Sequence, residues 1–168
     1  MTNIKSHALI FDYDGVIVNT MPAHVDAWQK AFLRCTNIEI PTVEFYLREG
    51  EARERTVFDL FKGISGRAPG RQQTREIIEW RDLYYRAHAT RLFPHVRDLL
   101  ATLQKKHIML AIVSGNIDVT QELRDRNIHR FFSVVISPAE STRMKPHPAP
   151  YLVAVERLQL PRNRCVVV

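Results

Sequence analysis

The amino-acid sequence predicts an α/β protein, with a Rossmann-like parallel sheet core and an inserted α-helical block. Short apolar segments alternate with amphipathic segments from residue 92 to residue 168, and such alternation is typical of a parallel sheet covered by helices. One further apolar segment lies near the N-terminus, and a long stretch of helical pattern separates it from the others. We therefore assign residues 1–18 and 92–168 to the core domain and residues 19–91 to the inserted helical domain.

Composition narrows the class of protein. The chain has 168 residues, 45% of them hydrophobic, which suits one domain with an inserted subdomain and a buried core. No apolar run approaches the ~20 residues that span a bilayer, and the N-terminus lacks the layout of a signal peptide. Cys35 and Cys165 have no CxxC spacing and are predicted to be reduced thiols. We expect a soluble, cytoplasmic protein with no membrane partner.

The charge balance is basic, with 24 Lys and Arg against 18 Asp and Glu and a net charge of +6. The basic residues are scattered and form no long run or aromatic-studded stripe, so we expect no nucleic-acid partner. A small anionic substrate and a solvated surface explain the excess equally well. The sequence does not define an oligomeric state.

The first predicted strand covers residues 7–11 and leads into the helical block. Thr20 is placed to cap the first helix, and Pro22 suits its first turn. Apolar residues at spacings of three and four form one face of this helix: Val25, Trp28 and Phe32. A helical pattern at residues 42–62 is broken near Gly50.

A loop is predicted at residues 63–70, followed by a helix at 72–87. The residues expected on the buried face of that helix are Ile77, Trp80 and Tyr84. After Pro94 a further helix has an apolar face made of Val96, Leu99, Leu100 and Leu103. The remaining predicted elements are strands at 108–113, 133–136 and 165–168 and helices at 118–126 and 149–158.

Polar side chains follow the predicted strands. Asp12 and Asp14 end the first strand, Ser114 and Asn116 follow the second, and Lys145 follows the third after a loop. In an open parallel sheet, ligands bind at the carboxyl ends of the strands. We therefore expect these side chains to converge on one site.

The paired acids allow a structural and a functional interpretation. Capping of a turn explains one aspartate but not two at the end of a buried strand. A calcium loop beginning at Asp12 would require an oxygen ligand, a glycine and a glutamate where Val16, Ile17 and Ala23 stand, so that alternative fails.

A divalent cation with phosphate chemistry remains the better interpretation. Mg²⁺ favours one or two carboxylates together with phosphate oxygens. One carboxylate of the pair can attack phosphorus, and the other can move protons. Gly15 lets the backbone turn sharply beside the substrate.

The segments "DYDGVIVNT", "VSGN" and "KPHPAPY" resemble, in order, the first three motifs of the haloacid dehalogenase superfamily. The resemblance implies that Asp12 is the nucleophile, Asp14 the general acid/base, and both are ligands of Mg²⁺. In that metal site Asp14 would bind through its backbone carbonyl. The resemblance also implies that Ser114 hydrogen-bonds the transferring phosphoryl group and that Lys145 neutralises charge there. Gly15, Gly115 and Asn116 would border the substrate.

Further segments resemble the β-phosphoglucomutase-like branch, whose helical cap is inserted after the first strand. They are "MPAHVDAW", "GEAR" and "PAE". The resemblance implies that Arg53 contacts distal groups of the substrate and that His24 lies at the cap hinge. Arg81 is a further candidate cation of the cap.

The sequence departs from the family pattern at three places. Asn19 replaces the usual acid before Thr20, and His95 stands where a glycine commonly follows the cap-return proline. The family's fourth strand usually delivers an acidic pair that completes the metal site, and "CVVV" ends at Val168 where that pair would begin. On this pattern the fold would be incomplete, and we expect weak Mg²⁺ binding and low or no activity.

The resemblance implies a Mg²⁺-dependent phosphatase that acts on a small phosphorylated metabolite, of the sugar-phosphate or phosphoglycolate type, through an aspartyl-phosphate. A sugar-phosphate mutase is the first alternative, because it would use the same two aspartates. A non-catalytic fragment or remnant is the second.

Overall fold

The structure is a computed structural model that describes residues 7–143 and 145–168. The chain divides into two compact units. The first, here called the sheet unit, contains the described residues up to Asn19 and residues 92–168. The second, here called the helical unit, contains Thr20–Arg91.

Parallel strands form the centre of the sheet unit. The strands of the described residues are β1 (Ala8–Phe11), β2 (Val18–Asn19), β3 (Arg91–Leu92), β4 (Met109–Val113), β5 (Val134–Ile136) and β6 (Cys165–Val167). Four of them form a sheet in the order β5-β4-β1-β6, in which every pairing is parallel. In the register of the sheet, Ala8 lies between Met109 and Cys165. The strand that leads to the acid pair is therefore hydrogen-bonded on both sides.

Helices cover both faces of this sheet. They are α5 (Val96–Lys105), α6 (Val119–Asp125) and α7 (Ala149–Leu158). Leu100 of α5 and Leu123 of α6 pack in one core cluster with Phe11, and α7 contributes Ala154 and Leu158 to a second cluster. Since successive strand residues point to opposite faces, Ile10 belongs to that second cluster. This layered arrangement confirms the predicted α/β class.

Sequence patterns located these elements closely. Each of the four sheet strands was predicted one residue longer than it is, at one of its ends. The expectation for Leu99 was wrong, since its side chain is 48% exposed while that of Leu100 is fully buried. The short strands β2 and β3, which pair with each other, were not predicted because two residues carry no periodicity.

The helical unit consists of α1 (Met21–Thr36), α2 (Thr42–Tyr46), α3 (Arg53–Ser65) and α4 (Arg71–Arg86). Its core holds the predicted face of α1, Val25, Trp28 and Phe32, together with Phe45, Phe61 and Ile77. Trp80 and Tyr84 pack against this core.

Three local details refine the predictions for the helical unit. Thr20 occupies the N-cap position of α1 but makes no side-chain capping hydrogen bond, so that expectation was wrong. Gly50, with φ of 82°, lies between α2 and α3 and breaks the helical pattern as predicted. The loop starts at Gly66 and not at residue 63, because α3 continues to Ser65 and Gly66 ends it with φ of 72°. Among the described residues, no helix combines the length and apolarity needed to cross a membrane.

Candidate active site

Asp12 lies directly beyond β1 and is held by several contacts. Its backbone N–H donates to the carbonyl of Val168 at 3.2 Å, which extends the pairing with β6. The backbone N–H of Tyr13 donates to Asp12 Oδ1 at 2.6 Å, and Lys145 Nζ lies 2.8 Å from Asp12 Oδ2. Both carboxylate oxygens therefore face donors, as suits an anion in a partly buried position.

A tight turn follows and presents Asp14. The carbonyl of Tyr13 accepts hydrogen bonds from the N–H groups of Ile17 and Val18 at 3.0 and 3.1 Å. Gly15, with φ of 74°, adopts a left-handed conformation that costs a glycine little, and its N–H donates to Val18 at 2.9 Å. The conformational role predicted for Gly15 is therefore present, whereas a contact with substrate stays a prediction.

The segment after β4 approaches Asp14. Ser114 is fully buried, its backbone N–H donates to the carbonyl of Ile136 at 3.0 Å, and its Oγ lies 3.5 Å from Asp14 Oδ2. The same Oγ accepts from the N–H of Asn116 at 3.0 Å. The next residue, Gly115, is exposed, and a Cβ added there would meet nothing within 4 Å.

The surroundings of Lys145 complete the cluster. Its side chain is 15% exposed, so the cation and Asp12 form a pair that is largely screened from water. Burial raises the pKa of the nearby Tyr151 phenol on α7, Lys145 lowers it and Asp12 raises it. The structure thus brings Asp12, Asp14, Ser114 and Lys145 to one edge of the sheet.

The remaining predicted site residues lie in the helical unit. Arg53 forms an ion pair with Asp82, and Asp82 also accepts from Arg81 Nη1 at 2.9 Å. Arg81 Nη2 contacts His24 Nδ1, and the His24 ring lies 4.4 Å from that of Tyr85. His24 and Arg53 are therefore joined in one network through Arg81 and Asp82.

Arg81 is more deeply buried than its position in the sequence suggested. Its side chain is 10% exposed, and its guanidinium lies 5.4 Å from the Trp28 ring and 4.8 Å from the Tyr85 ring. Cation–π contacts of this kind stabilise a cation away from water. In the sequence, Arg81 looks like any charged residue of a polar helix, which explains why its burial could not be predicted.

The fit of a magnesium ion can be judged from the donor atoms. Among the described residues there is no group of three or more His, Cys, Asp or Glu side chains arranged to hold a metal ion. Mg²⁺ is commonly bound through one or two carboxylates, with phosphate and water completing its coordination. The hard oxygen donors of Asp12 and Asp14 at one edge of the sheet fit that mode of binding.

These features define a class: an α/β protein with an acid pair, a buried serine and a lysine at the carboxyl ends of its strands. The chain belongs to the haloacid dehalogenase-like hydrolases, since the sequence profile of that family matches residues 7–168. The resemblance seen in the three sequence motifs is thereby confirmed.

Individual relatives are phosphatases. The phosphoglycolate phosphatase of Escherichia coli (strain K12) is 38% identical over 95 residues, which cover 54% of this chain and 38% of that protein. The phosphoglycolate phosphatase of Salmonella typhi is 33% identical over an alignment of 182 positions, which covers 94% of this chain and 70% of that protein. Pyrophosphatase PpaX of Oceanobacillus iheyensis is 29% identical over 154 residues, covering 89% and 68% respectively. The matched region thus spans less than half the length of the E. coli relative.

Solved structures share the fold. A β-phosphoglucomutase of Clostridium difficile superposes with a TM-score of 0.77 at 21% identity, covering 97% of this chain and 75% of that one. A predicted phosphoglycolate phosphatase of Haemophilus somnus gives a TM-score of 0.79 at 20% identity, covering 96% and 76%. At such identities the likeness concerns the fold alone.

Proposed function

We propose that this chain is a Mg²⁺-dependent phosphatase that hydrolyses a small phosphomonoester of the sugar-phosphate or phosphoglycolate type through an aspartyl-phosphate. The observation that supports this most is the pair of contacts at the sheet edge. Lys145 lies 2.8 Å from Asp12, and Ser114 lies 3.5 Å from Asp14. These contacts support the proposal because they bring together the proposed nucleophile, the proposed proton carrier and two groups able to contact phosphoryl oxygens.

In the first step, a carboxylate oxygen of Asp12 attacks phosphorus and the bond from phosphorus to the ester oxygen breaks. Asp14, in its protonated form, gives its proton to the leaving oxygen. In the second step, Asp14 takes a proton from water as the water oxygen attacks phosphorus. The phosphate is released and the Asp12 carboxylate is restored.

Lys145 and Ser114 would assist without changing their own bonds. The ammonium group of Lys145 offsets negative charge that collects on the phosphoryl oxygens and on Asp12. The hydroxyl of Ser114 can donate to a phosphoryl oxygen from a fixed, buried position. Mg²⁺, held by the carboxylate of Asp12 and the backbone carbonyl of Asp14, would supply further charge neutralisation for phosphoryl transfer.

The test is phosphate release from a panel of substrates, with and without Mg²⁺. The panel contains 2-phosphoglycolate, several sugar phosphates and pyrophosphate. We expect release, at a low rate, from at least one phosphomonoester and, after rapid quenching, a phosphorylated peptide that contains Asp12. Asp12→Asn should abolish both signals, lowering the rate by on the order of 10³-fold or more.

Asp98→Asn is the matched control, because this aspartate is 86% exposed and undergoes the same change from carboxylate to amide. Equal rates for wild type and Asp12→Asn would refute the proposed nucleophile, and a lack of phosphate release and of the labelled peptide would refute the phosphatase. Conversion of β-glucose 1-phosphate to glucose 6-phosphate with a bisphosphate primer would instead identify a mutase.

A further inference from the structure

Glu122 joins the two segments that carry the candidate active site. It lies on α6, and its two carboxylate oxygens accept hydrogen bonds from different parts of the chain. Oε2 accepts from the hydroxyl of Tyr13 at 2.7 Å, and Oε1 accepts from Nδ2 of Asn116 at 2.7 Å. One side chain therefore contacts the turn that holds Asp12 and Asp14 and also the segment that holds Ser114.

The Tyr13 side chain connects Glu122 to the turn that holds the two aspartates. Tyr13 stands between Asp12 and Asp14 in sequence, is fully buried, and packs in the core cluster with Ile17 and Leu123. Its backbone is part of the turn itself, since its N–H donates to Asp12 Oδ1 at 2.6 Å and its carbonyl accepts two of the hydrogen bonds that close the turn. Any displacement of its hydroxyl would move the peptide units on which both aspartates depend.

The hydroxyl of Tyr13 is fixed by two partners. The phenol donates to Glu122 Oε2 at 2.7 Å, while Arg126 Nε donates to the phenol oxygen at 2.9 Å. Arg97 Nη2 in turn donates to the backbone carbonyl of Arg126 at 2.6 Å, which ties the end of α6 to α5.

Asn116 carries the link to the other segment. Its Oδ1 accepts from the N–H of Asp118 at 2.9 Å, and its own backbone N–H donates to Ser114 Oγ at 3.0 Å. With Nδ2 on Glu122, both ends of the Asn116 amide are held. Glu122 contacts neither Ser114 nor Asp14, but through Asn116 it helps to orient the Ser114 hydroxyl toward Asp14.

We propose that Tyr13 and Glu122 are positioning residues that hold the Asp12–Asp14 turn and the Ser114–Asn116 segment in one fixed relationship. The catalytic part of this inference rests on the proposed phosphatase. The structural part, the coupling of the two segments, does not. Because small misplacements of reacting groups reduce rates steeply, the expected result of losing the link is slower turnover and not weaker substrate binding.

Glu122→Gln is the sharpest variant. An amide offers one acceptor oxygen where the carboxylate offers two, so Tyr13 and Asn116 can no longer both be satisfied. We expect kcat to fall by about 10- to 100-fold with KM nearly unchanged. Tyr13→Phe removes only the hydroxyl and keeps the buried ring, so a smaller fall of about tenfold is expected.

Asp125→Asn is the matched control on the same helix. This aspartate is exposed and accepts from Gln121 at 2.8 Å, so it undergoes the same loss of a hydrogen-bonded carboxylate at a distance from the network. Its kcat should stay within about twofold of wild type. The double variant Tyr13→Phe/Glu122→Gln should be slower than Glu122→Gln by less than the factor that Tyr13→Phe causes alone, because the two changes act on a shared link.

A second measurement does not need activity. In ¹⁵N-labelled protein, the side-chain amide of Asn116 and the backbone amides of 114–116 should shift in Tyr13→Phe and in Glu122→Gln but not in Asp125→Asn. If Glu122→Gln does not fold, kcat and the amide chemical shifts are both measured on Tyr13→Phe. An unchanged kcat in a folded variant would overturn the catalytic role, and unshifted amides would overturn the coupling. If wild type releases no phosphate while the amides shift as expected, the proposed function fails and the coupling stands.

Discussion

The Nζ atom of Lys145 lies 2.8 Å from Oδ2 of Asp12, with the two side chains 15% and 29% exposed. Ion pairs in such partly buried positions are more sensitive to loss of a partner than exposed ones, because the remaining charge is poorly solvated. The contact also joins residues separated by most of the chain, since Asp12 follows β1 and Lys145 precedes α7. Its removal is therefore expected to affect both the chemistry and the local structure.

Lys145→Met is expected to lower kcat by about 10²-fold, because one charge that offsets the developing negative charge is lost. Lys145→Arg should recover part of that loss, since the charge is retained in a different shape. Lys30→Met is the control: its Nζ lies 2.7 Å from Asp26 in an exposed i,i+4 pair, and kcat should not change. Steady-state phosphate release by the purified variants measures this, and equal effects of the two Lys→Met changes would contradict the assigned role.

Arg53→Gln tests whether Arg53 contacts the substrate. A contact with distal groups that is equally strong in the ground state and the transition state would raise KM, by about tenfold, and leave kcat unchanged. Arg55→Gln is matched to it, because Arg55 lies on the same helix and pairs with Asp59 as Arg53 pairs with Asp82. If both variants raise KM to the same extent, Arg53 has no specific role in binding.

The packing of α5 can be tested with two adjacent leucines. Leu100→Ala should reduce the free energy of unfolding by about 2–5 kcal/mol, since it removes fully buried methyl groups and leaves a cavity. Leu99→Ala should change that free energy by less than about 0.5 kcal/mol, because Leu99 is 48% exposed and lies outside the core. Urea denaturation followed by circular dichroism gives both values. A reversed order would mean that α5 packs through a different face.

Glu140 should give the protein a measurable pH dependence. Burial acts to raise the pKa of Glu140, but hydrogen bonds from the side chain and backbone of Ser137 outweigh it, and the pKa lies below its usual 4.5. The N–H of Ser137 donates to Glu140 Oε2 at 2.7 Å, as in a capping box. Since the folded-state pKa is lowered, the stabilisation is complete above about pH 4.5 and is lost as the pH falls through the folded-state value.

The corresponding experiment compares wild type with Glu140→Gln by urea unfolding between neutral and acidic pH. We expect wild type to be the more stable at neutral pH and the difference to shrink on acidification. Glu156→Gln, an exposed change on α7, should show no such trend. A difference that is independent of pH would show that the Glu140 carboxylate does not carry the effect.

Sequence patterns predicted the sheet well, because buried parallel strands are read from short apolar runs that end in polar residues. The order in which Asp12, Ser114 and Lys145 follow their strands was enough to predict that they converge. Local periodicity was less reliable at the edges of helices. Leu99 belongs to the apolar pattern of α5 but lies at the border of the buried face, so its side chain stays 48% exposed.

The contacts that Tyr13 and Glu122 make beneath the candidate active site could not be predicted from the sequence. Tyr13 and Glu122 are 109 positions apart, and neither residue type is unusual where it stands. In the sequence, Glu122 resembles the many acids on exposed helix faces. Only the packing of α6 against the core brings its carboxylate within hydrogen-bond distance of the Tyr13 hydroxyl. The same holds for Arg81, whose aromatic neighbours come partly from another helix.

The central position of β1 has a consequence for local opening. Its backbone is hydrogen-bonded to β4 on one side and to β6 on the other, so its amides should exchange with deuterium only when the whole domain unfolds. Loops elsewhere can open and close many times while this strand remains intact. Asp12 and Asp14 therefore follow the strand whose backbone amide protons are expected to exchange last.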